Sequence, residues 1–329
     1  MQLCVLLQAD AALHDLPGHP ESQTRLEALA PGLRGVATTL HGGQPASVEQ
    51  LARIHDPTYI EIVRARCAAL EEHGAGHLDP DTYIRPRSFE VACSAAGLAV
   101  AAARRVLDGT SVFALVRPPG HHAERTHAMG FCLFNNIAIA AAEALDRGLR
   151  VAIVDWDLHH GNGTQHAFYR TDRVLYCSVH RRFHFPGTGW YDERGAGLGL
   201  GYTLNAPLPA GSAGADYRYL FESVFCPAVE AFGPDLVLVS AGQDALAGDP
   251  LGGMALAPSD FGMMTSLLRE AVDLPLALVL EGGYGSGQDL ALAAILNALR
   301  GDRMEPPQGM VRRETREVAD YLKPGLADR

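Results

Sequence analysis

The stretch Val151 to Gly163, VAIVDWDLHHGNG, constrains this chain more than any other. Four consecutive apolar residues, Val151 to Val154, read as a buried parallel strand, after which the composition changes at once to Asp155, Trp156, Asp157, Leu158, His159, His160, Gly161 and Asn162. Two carboxylates and two imidazoles therefore stand just past a strand's carboxyl end, where the side chains of an open α/β sheet project into the crevice beyond the strands. Alternation along an extended segment puts Asp155, Asp157 and His159 on one side, so a carboxylate and an imidazole can converge on one cation. A solvated acidic turn with a structural histidine is the plainer account of this stretch taken alone, and the rest of the chain has to decide between them.

Other apolar runs end in the same way. Val112 to Val116 leads into RPPGHHAERTHAMGFCLFNN, where Pro118 and Pro119 cannot continue a sheet and force a rigid loop that holds His121 and His122 in the crevice. Leu236 to Ser240 leads to AGQDALAGDPLGG with Asp244, and Leu276 to Leu280 to EGGYGSG with Tyr284. Gln2 to Leu7 and Val174 to Val179 read as two further strands. Between the strands, helical patterns begin near Ser22, with Arg25 in the first turn as an ordinary exposed charge or one turned toward the loop. Further helices are expected twice within residues 47 to 73, from Phe89 to Leu107 closed by Gly109, from Asn135 and Asn136 to Gly148, over Thr164 to Tyr169, over residues 213 to 232, and from Ser259. HLDPDTYIRPRS reads as a loop carrying Asp79 and Asp81. The glycines at 195, 197, 199 and 201 lead into an extended TLNAPLP segment instead of a helix, which excludes a nucleotide-binding loop.

Four strand ends thus carry polar groups that a parallel sheet brings to one edge, and no linker or repeat divides the chain, so residues 1–329 are expected to form one α/β domain. The net charge of −11 without a Lys/Arg cluster argues against nucleic acid as a partner. Six scattered cysteines with no CxxC pair suggest buried thiols of a reducing compartment. The start, MQLCVLLQAD, has no basic n-region and is too short for a membrane span, which points to a cytoplasmic protein with no membrane partner.

The constellation suits metal-assisted hydrolysis. Asp157, His159 and Asp244 offer one nitrogen and two carboxylate oxygens and leave positions open, as in a catalytic zinc site. Two carboxylates largely neutralise the cation, so a base and a carbonyl-polarising donor are needed, and His122 and Tyr284 are the right types.

At these residues the chain resembles the arginase/deacetylase superfamily and, within it, the zinc-dependent histone deacetylases of the class II-like, bacterial histone deacetylase-like amidohydrolase type. The resemblance runs from HPE at His19 to EGGY at Tyr284 through RPPGHH, GFCLFNN, DWDLHHGNGTQHAF, HFPGTG, GDPLGG and LEGGY. It implies a central parallel sheet of about eight strands flanked by helices, with zinc on Asp157, His159 and Asp244. His121 and His122 become the tandem histidines and Tyr284 the transition-state donor. Phe131 and Phe185 resemble the rings that sandwich the acyl-lysine methylenes, with Gly130 beside them. Asp81 resembles the loop carboxylate that grips the substrate backbone, and Arg25 the arginine at the floor of an acetate-sized cavity. A structural potassium would lie near Asp155, Asp157, His159 and Ser178.

Asn162 replaces the aspartate that class I members place behind the second histidine, so His122 is expected to lack a charged partner while His121 keeps Asp155. Gln243 replaces the usual phenylalanine before the metal aspartate and puts the local packing there in question. A binuclear manganese ureohydrolase would need carboxylates where Gly161 and Gly242 stand, and an acetyl-lysine-binding relative without catalysis would lack Tyr284. The expected partner is an acyl-lysine protein or peptide; the alternative is an acetylated polyamine. Polyamine-selective relatives often carry glutamate in the slot of Leu251, where leucine offers only apolar contact, although a loop acid such as Asp79 could replace it. A homo-oligomer is left open.

Overall fold

The computed structural model describes residues 2–35, 39–302 and 304–323. Its strands, in chain order, are β1 (Gln2–Leu7), β2 (Thr39–His41), β3 (Gly76–Asp79), β4 (Thr82–Ile84), β5 (Thr110–Leu115), β6 (Val151–Asp155), β7 (Val174–Arg181), β8 (Thr203–Leu208), β9 (Leu236–Ser240) and β10 (Leu276–Val279). Among the described residues eight of them form one sheet in the order β2-β1-β5-β10-β9-β6-β7-β8, and every neighbouring pair is parallel.

A parallel sheet is covered by helices on both faces, so its strands are apolar on both sides. Alternate residues of β5 accordingly enter different cores. Phe113 and Leu115 pack with Phe261, Met264, Leu292 and Ile295 of helices Pro258–Val272 and Gln288–Arg300, whereas Val112 and Ala114 face the Ala-rich helices Ser88–Leu107 and Asn136–Leu145. The result is a single α/β domain of three layers, and no disulfide links its six buried cysteines. No helix among the described residues is long and apolar enough to cross a membrane.

Register brings the site-bearing ends level. Asp155 at the end of β6 lies opposite Ser240 of β9 on one side and Ser178 of β7 on the other, while Val279 of β10 lies opposite Ala114 of β5. The four loops that carry His121, Asp157, Asp244 and Tyr284 therefore leave adjacent strands.

The structure departs from the sequence reading in three places. HLDPDTYIRPRS holds the antiparallel hairpin β3–β4, with Asp81 at its turn; these strands are too short to show a period-two pattern, and the Asp-Pro-Asp run dominates the reading. The edge strand β2 has only three residues and leaves no pattern in the sequence. The helix over residues 213 to 232 is interrupted by a π-helical turn, Phe221–Phe225.

A buried ionic knot fastens the loop before helix Gln23–Leu29 to the loop after β5. Arg117 donates through Nε and Nη2 to the two carboxylate oxygens of Glu21, both at 2.8 Å, and Arg25 reaches the same carboxylate at 3.2 Å. Burial opposes the Glu21 charge, but Arg117 and Arg25 outweigh it and hold the carboxyl down at about 2. Because the folded value lies below the ordinary one, this contribution to stability is present above about pH 4.5 and is lost as pH falls toward 2. Glu21→Gln is therefore expected to destabilise the chain by roughly 3 kcal/mol at neutral pH, with a gap to wild type that narrows between those values. Urea unfolding across a pH series reads both, and a pH-independent gap would contradict the assignment.

Candidate active site

Each candidate carboxylate ligand has one oxygen fastened to backbone and the other beside the His159 imidazole. Asp244 Oδ1 accepts the Leu158 N–H at 2.8 Å, which leaves Oδ2 3.0 Å from His159 Nδ1. Asp157 Oδ2 accepts the Gly282 N–H at 2.8 Å, and its Oδ1 lies 3.1 Å from the same imidazole nitrogen. Adjacent ligands of a tetrahedral zinc with bonds of about 2.0–2.1 Å stand about 3.3 Å apart, so these separations fit the edges of one such site. Among the described residues this is the one group of three or more His, Cys, Asp or Glu side chains close enough to share an ion, all ligand atoms lying within 4.8 Å of one another. Gly242 and Gly282 make room for it, since a Cβ on either would collide with a carboxylate oxygen of Asp157 or Asp244.

The electrostatics favour a cation at that centre. Burial and the neighbouring Asp157 raise the Asp244 carboxyl above its ordinary value, and Asp157 and Asp244, against the cost of burial, draw positive charge toward His159. Two buried carboxylates this close need a positive charge between them, which a divalent ion supplies. Gln243, next in the chain, is fully buried with no hydrogen-bond partner for either side-chain polar atom, yet its backbone N–H bonds Gly282 and Asp244 keeps its place.

The tandem histidines differ. His121 Nδ1 is 3.1 Å from Asp155 Oδ2 and its Nε2 is 3.7 Å from Asp157 Oδ1; burial opposes the cation, but Asp157 and Asp155 raise the ring to about 10. His122 Nδ1 is 2.7 Å from the uncharged Asn162 Oδ1, and burial together with His121 and His159 lowers it well below the ordinary range. Tyr284 keeps its proton because burial pushes its phenol upward against the opposing influence of Arg25.

These groups line a cavity of about 380 Å³ that also takes in Asp81, Gly130, Phe131, Arg181, His184, Phe185 and Leu251. Phe131 meets the Tyr284 ring edge-on at 5.8 Å, and Phe185 meets His122 edge-on at 5.1 Å. Gly130, at φ +58°, lets the backbone pass where a Cβ would strike the His122 ring. Asp81 Oδ1 accepts the Gly130 N–H at 3.1 Å, which ties the hairpin to this loop. Asp155, Asn162, Ser178 and Arg25 lie outside the lining. Arg25 is buried, not solvated: it donates to the carbonyls of Gly283 and Glu281, both at 2.6 Å, and stands 4.5 Å from the centroid of the Tyr284 ring.

Several residues of the site escaped the sequence reading. Asp249 Oδ2 accepts the N–H groups of Tyr284 and Gly285 and so orients the tyrosine. Glu281 accepts those of Gly120 and His121, and Tyr176 donates to Asp155 at 3.0 Å. His184 stacks on His159 at 5.1 Å and reaches the Leu251 carbonyl. Glu281 had a visible signal, as a lone acid at the end of an apolar strand, and Asp249 and His184 fall within GDPLGG and HFPGTG without their contacts being readable there.

Residues 19–298 match the model of the histone deacetylase domain. The chain belongs to that family. It is 39% identical over 322 residues to the histone deacetylase-like amidohydrolase of Pseudomonas aeruginosa, an alignment covering 94% of this chain and 82% of that protein. An uncharacterised protein of Synechocystis sp. is 43% identical over 293 residues, covering 86% and 94%. The crystal structure of the HDA15 HD domain superposes with a TM-score of 0.90 at 34% identity, covering 99% of this chain and 94% of that one. As a histone deacetylase domain the chain is a deacetylase, a hydrolase of linear amides, and its site lies at the carboxyl ends of the strands as in other open α/β sheets.

Proposed function

We propose that this deacetylase removes acetyl or other acyl groups from lysine ε-amines in proteins or peptides, with one zinc ion on Asp157, His159 and Asp244. Residues 1–329 would act as one catalytic domain in the cytoplasm. A bound zinc would polarise the acyl carbonyl and lower the pKa of water at the site. His122, protonated on Nδ1 by its bond to Asn162, presents Nε2 as the base that takes a proton from the attacking water and returns it to the leaving amine. His121 stays cationic beside Asp155 and Asp157 and stabilises negative charge next to it. Tyr284 donates its hydroxyl proton in a hydrogen bond to the acyl oxygen as that oxygen gains charge. Phe131 and Phe185 flank the methylenes, and Asp81 meets backbone amides at the mouth. A structural potassium near Asp155, Asp157, His159 and Ser178 belongs to the same reading.

The rim carries the choice of substrate. Leu251 is held by its own N–H on Asp249 Oδ1 at 2.9 Å and lines the mouth beside Arg181, whose guanidinium bonds the Gly252 carbonyl at 2.7 Å. A distal ammonium entering on that side meets an apolar chain and a cation, which disfavours a polyamine. Asp79 caps the Asp81 N–H at 3.4 Å and is not part of the lining. The observation favouring an acetylated polyamine is the Asp81 carboxylate within the same lining.

Metal-loaded enzyme assayed on acyl-lysine peptides and acetylated polyamines is expected to favour the peptides in kcat/KM. Leu251→Glu should move the ratio toward polyamines by about fivefold to tenfold, less at high salt, because a rim charge contributes ~1 kcal/mol. A wild-type preference of tenfold or more for polyamines would replace the lysine reading. Asp244→Asn, which removes one of two charged ligands, should weaken zinc binding about tenfold or more in competition with a chromophoric chelator. Two tightly bound catalytic ions per chain would overturn the mononuclear assignment.

A further inference from the structure

A carboxamide has two chemically different ends, and which one faces His122 decides the tautomer of the imidazole. Oxygen toward Nδ1 requires Nδ1–H and leaves Nε2 with a lone pair; the amide nitrogen there would force the reverse. Asn162 by itself is indifferent between these states. The far side of the amide settles it: Asn162 Nδ2 donates to Glu124 Oε1 at 2.6 Å, and a carboxylate cannot accept from a carbonyl oxygen. The same nitrogen also lies 3.3 Å from the His122 carbonyl and from the Met129 sulfur.

Glu124 is itself fastened. Its Oε1 receives His166 Nδ1 at 2.7 Å, with the glutamate side chain 13% exposed and the imidazole 49% exposed at the surface. Burial opposes the charge on Glu124, but His166 and Asn162 hold its carboxyl below the ordinary range. A cleft of about 140 Å³ between Arg53, Arg125 and His166 opens beside it. The path from solvent to the proposed base thus runs His166, Glu124, Asn162, His122, with every link at 2.6–2.7 Å.

We infer that Glu124 is a positioning residue for His122: by holding the Asn162 amide with its oxygen inward, it fixes the imidazole as the Nδ1–H tautomer through a neutral relay. This rests on the reading of His122 as the base. The carboxylate that Asn162 lacks is present in the structure, displaced by one hydrogen bond.

A double-mutant cycle on the full chain tests it. Glutamine at 124 can offer either end of its own amide, so Glu124→Gln releases Asn162 to turn; kcat should fall about tenfold, the scale of losing an outer partner of an active-site histidine, with KM changed by less than about twofold. With Asn162→Asp in place, the second carboxylate would sit against Glu124, so Glu124→Gln should then leave kcat unchanged or raise it. An equal loss in both backgrounds overturns the inference. Histidine ¹⁵N spectra of the metal-loaded wild type supply a test that needs no variant: His122 should show a protonated Nδ1 and an unprotonated Nε2, and the opposite pattern overturns the inference. His122→Ala separates the two levels, since full turnover in that variant removes the base assignment, whereas an additive cycle with an inactive His122→Ala removes the Glu124 role alone.

Discussion

Tyr284→Phe is expected to lower kcat by about 10² to 10³ while KM stays within about threefold of wild type. The phenol lines the same cavity as the candidate ligands, and its backbone is set by Asp249 Oδ2, which takes the N–H groups of residues 284 and 285 at 2.6 and 2.8 Å. From below, Arg25 pins the carbonyls of Glu281 and Gly283 and lies against the ring. With its backbone and ring held in this way, the hydroxyl would need little reorganisation as the acyl oxygen gains charge, so its bond should strengthen chiefly in the transition state. Phenylalanine keeps the ring and its edge-on contact with Phe131, so substrate binding and folding should survive. Steady-state kinetics and thermal melting of the same preparation decide the matter. A variant with full kcat, or one whose whole loss lies in KM, would remove the donor role.

Much of this arrangement was legible in the sequence for a physical reason. A parallel strand buried on both faces must be apolar throughout, so the break from Val154 to Asp155, from Val116 to Arg117, or from Leu280 to Glu281 marks where the sheet ends and its crevice begins. That logic put Asp157, His159, Asp244, His121, His122 and Tyr284 at one edge, where the structure brings them together. The same logic says nothing about short elements: β2 and the β3–β4 hairpin have three or four residues each, too few for a period. Nor does it reach Asp249, Glu124 or Tyr176. These act on groups 35, 38 and 21 positions away through single hydrogen bonds, and the sequence offers no periodicity from which such a pairing could be read. Arg25 shows the intermediate case. Its place in a first helical turn was plain, but whether that turn faced solvent or the EGGY loop depended on the packing of the helix, which only the fold determines.

The tandem histidines provide the sharper test of mechanism, because two adjacent imidazoles are held in opposite states. His122→Ala is expected to cut kcat by about 10² to 10⁴, the range spanned by general acid–base groups. His121→Ala should cost no more than that. His121 Nδ1 lies 3.1 Å from Asp155, a carboxylate outside the proposed ligand set, and a charged partner there favours the protonated ring over a ring that could accept a proton. In the proposed mechanism its contribution would be a fixed positive charge, which other groups at the site would share. His122 faces the cavity with an amide behind it, so its ring can be neutral in the resting enzyme and cationic only while it holds the proton in transit. A missing base can be supplied from solution by neutral imidazole, whereas only its cation could stand in for a missing fixed charge, and above about pH 8 that form is scarce. Exogenous imidazole should therefore restore part of the turnover of His122→Ala in a concentration-dependent way and leave His121→Ala unchanged. Should imidazole rescue His121→Ala instead, or should His121→Ala alone abolish turnover, the two roles must be exchanged.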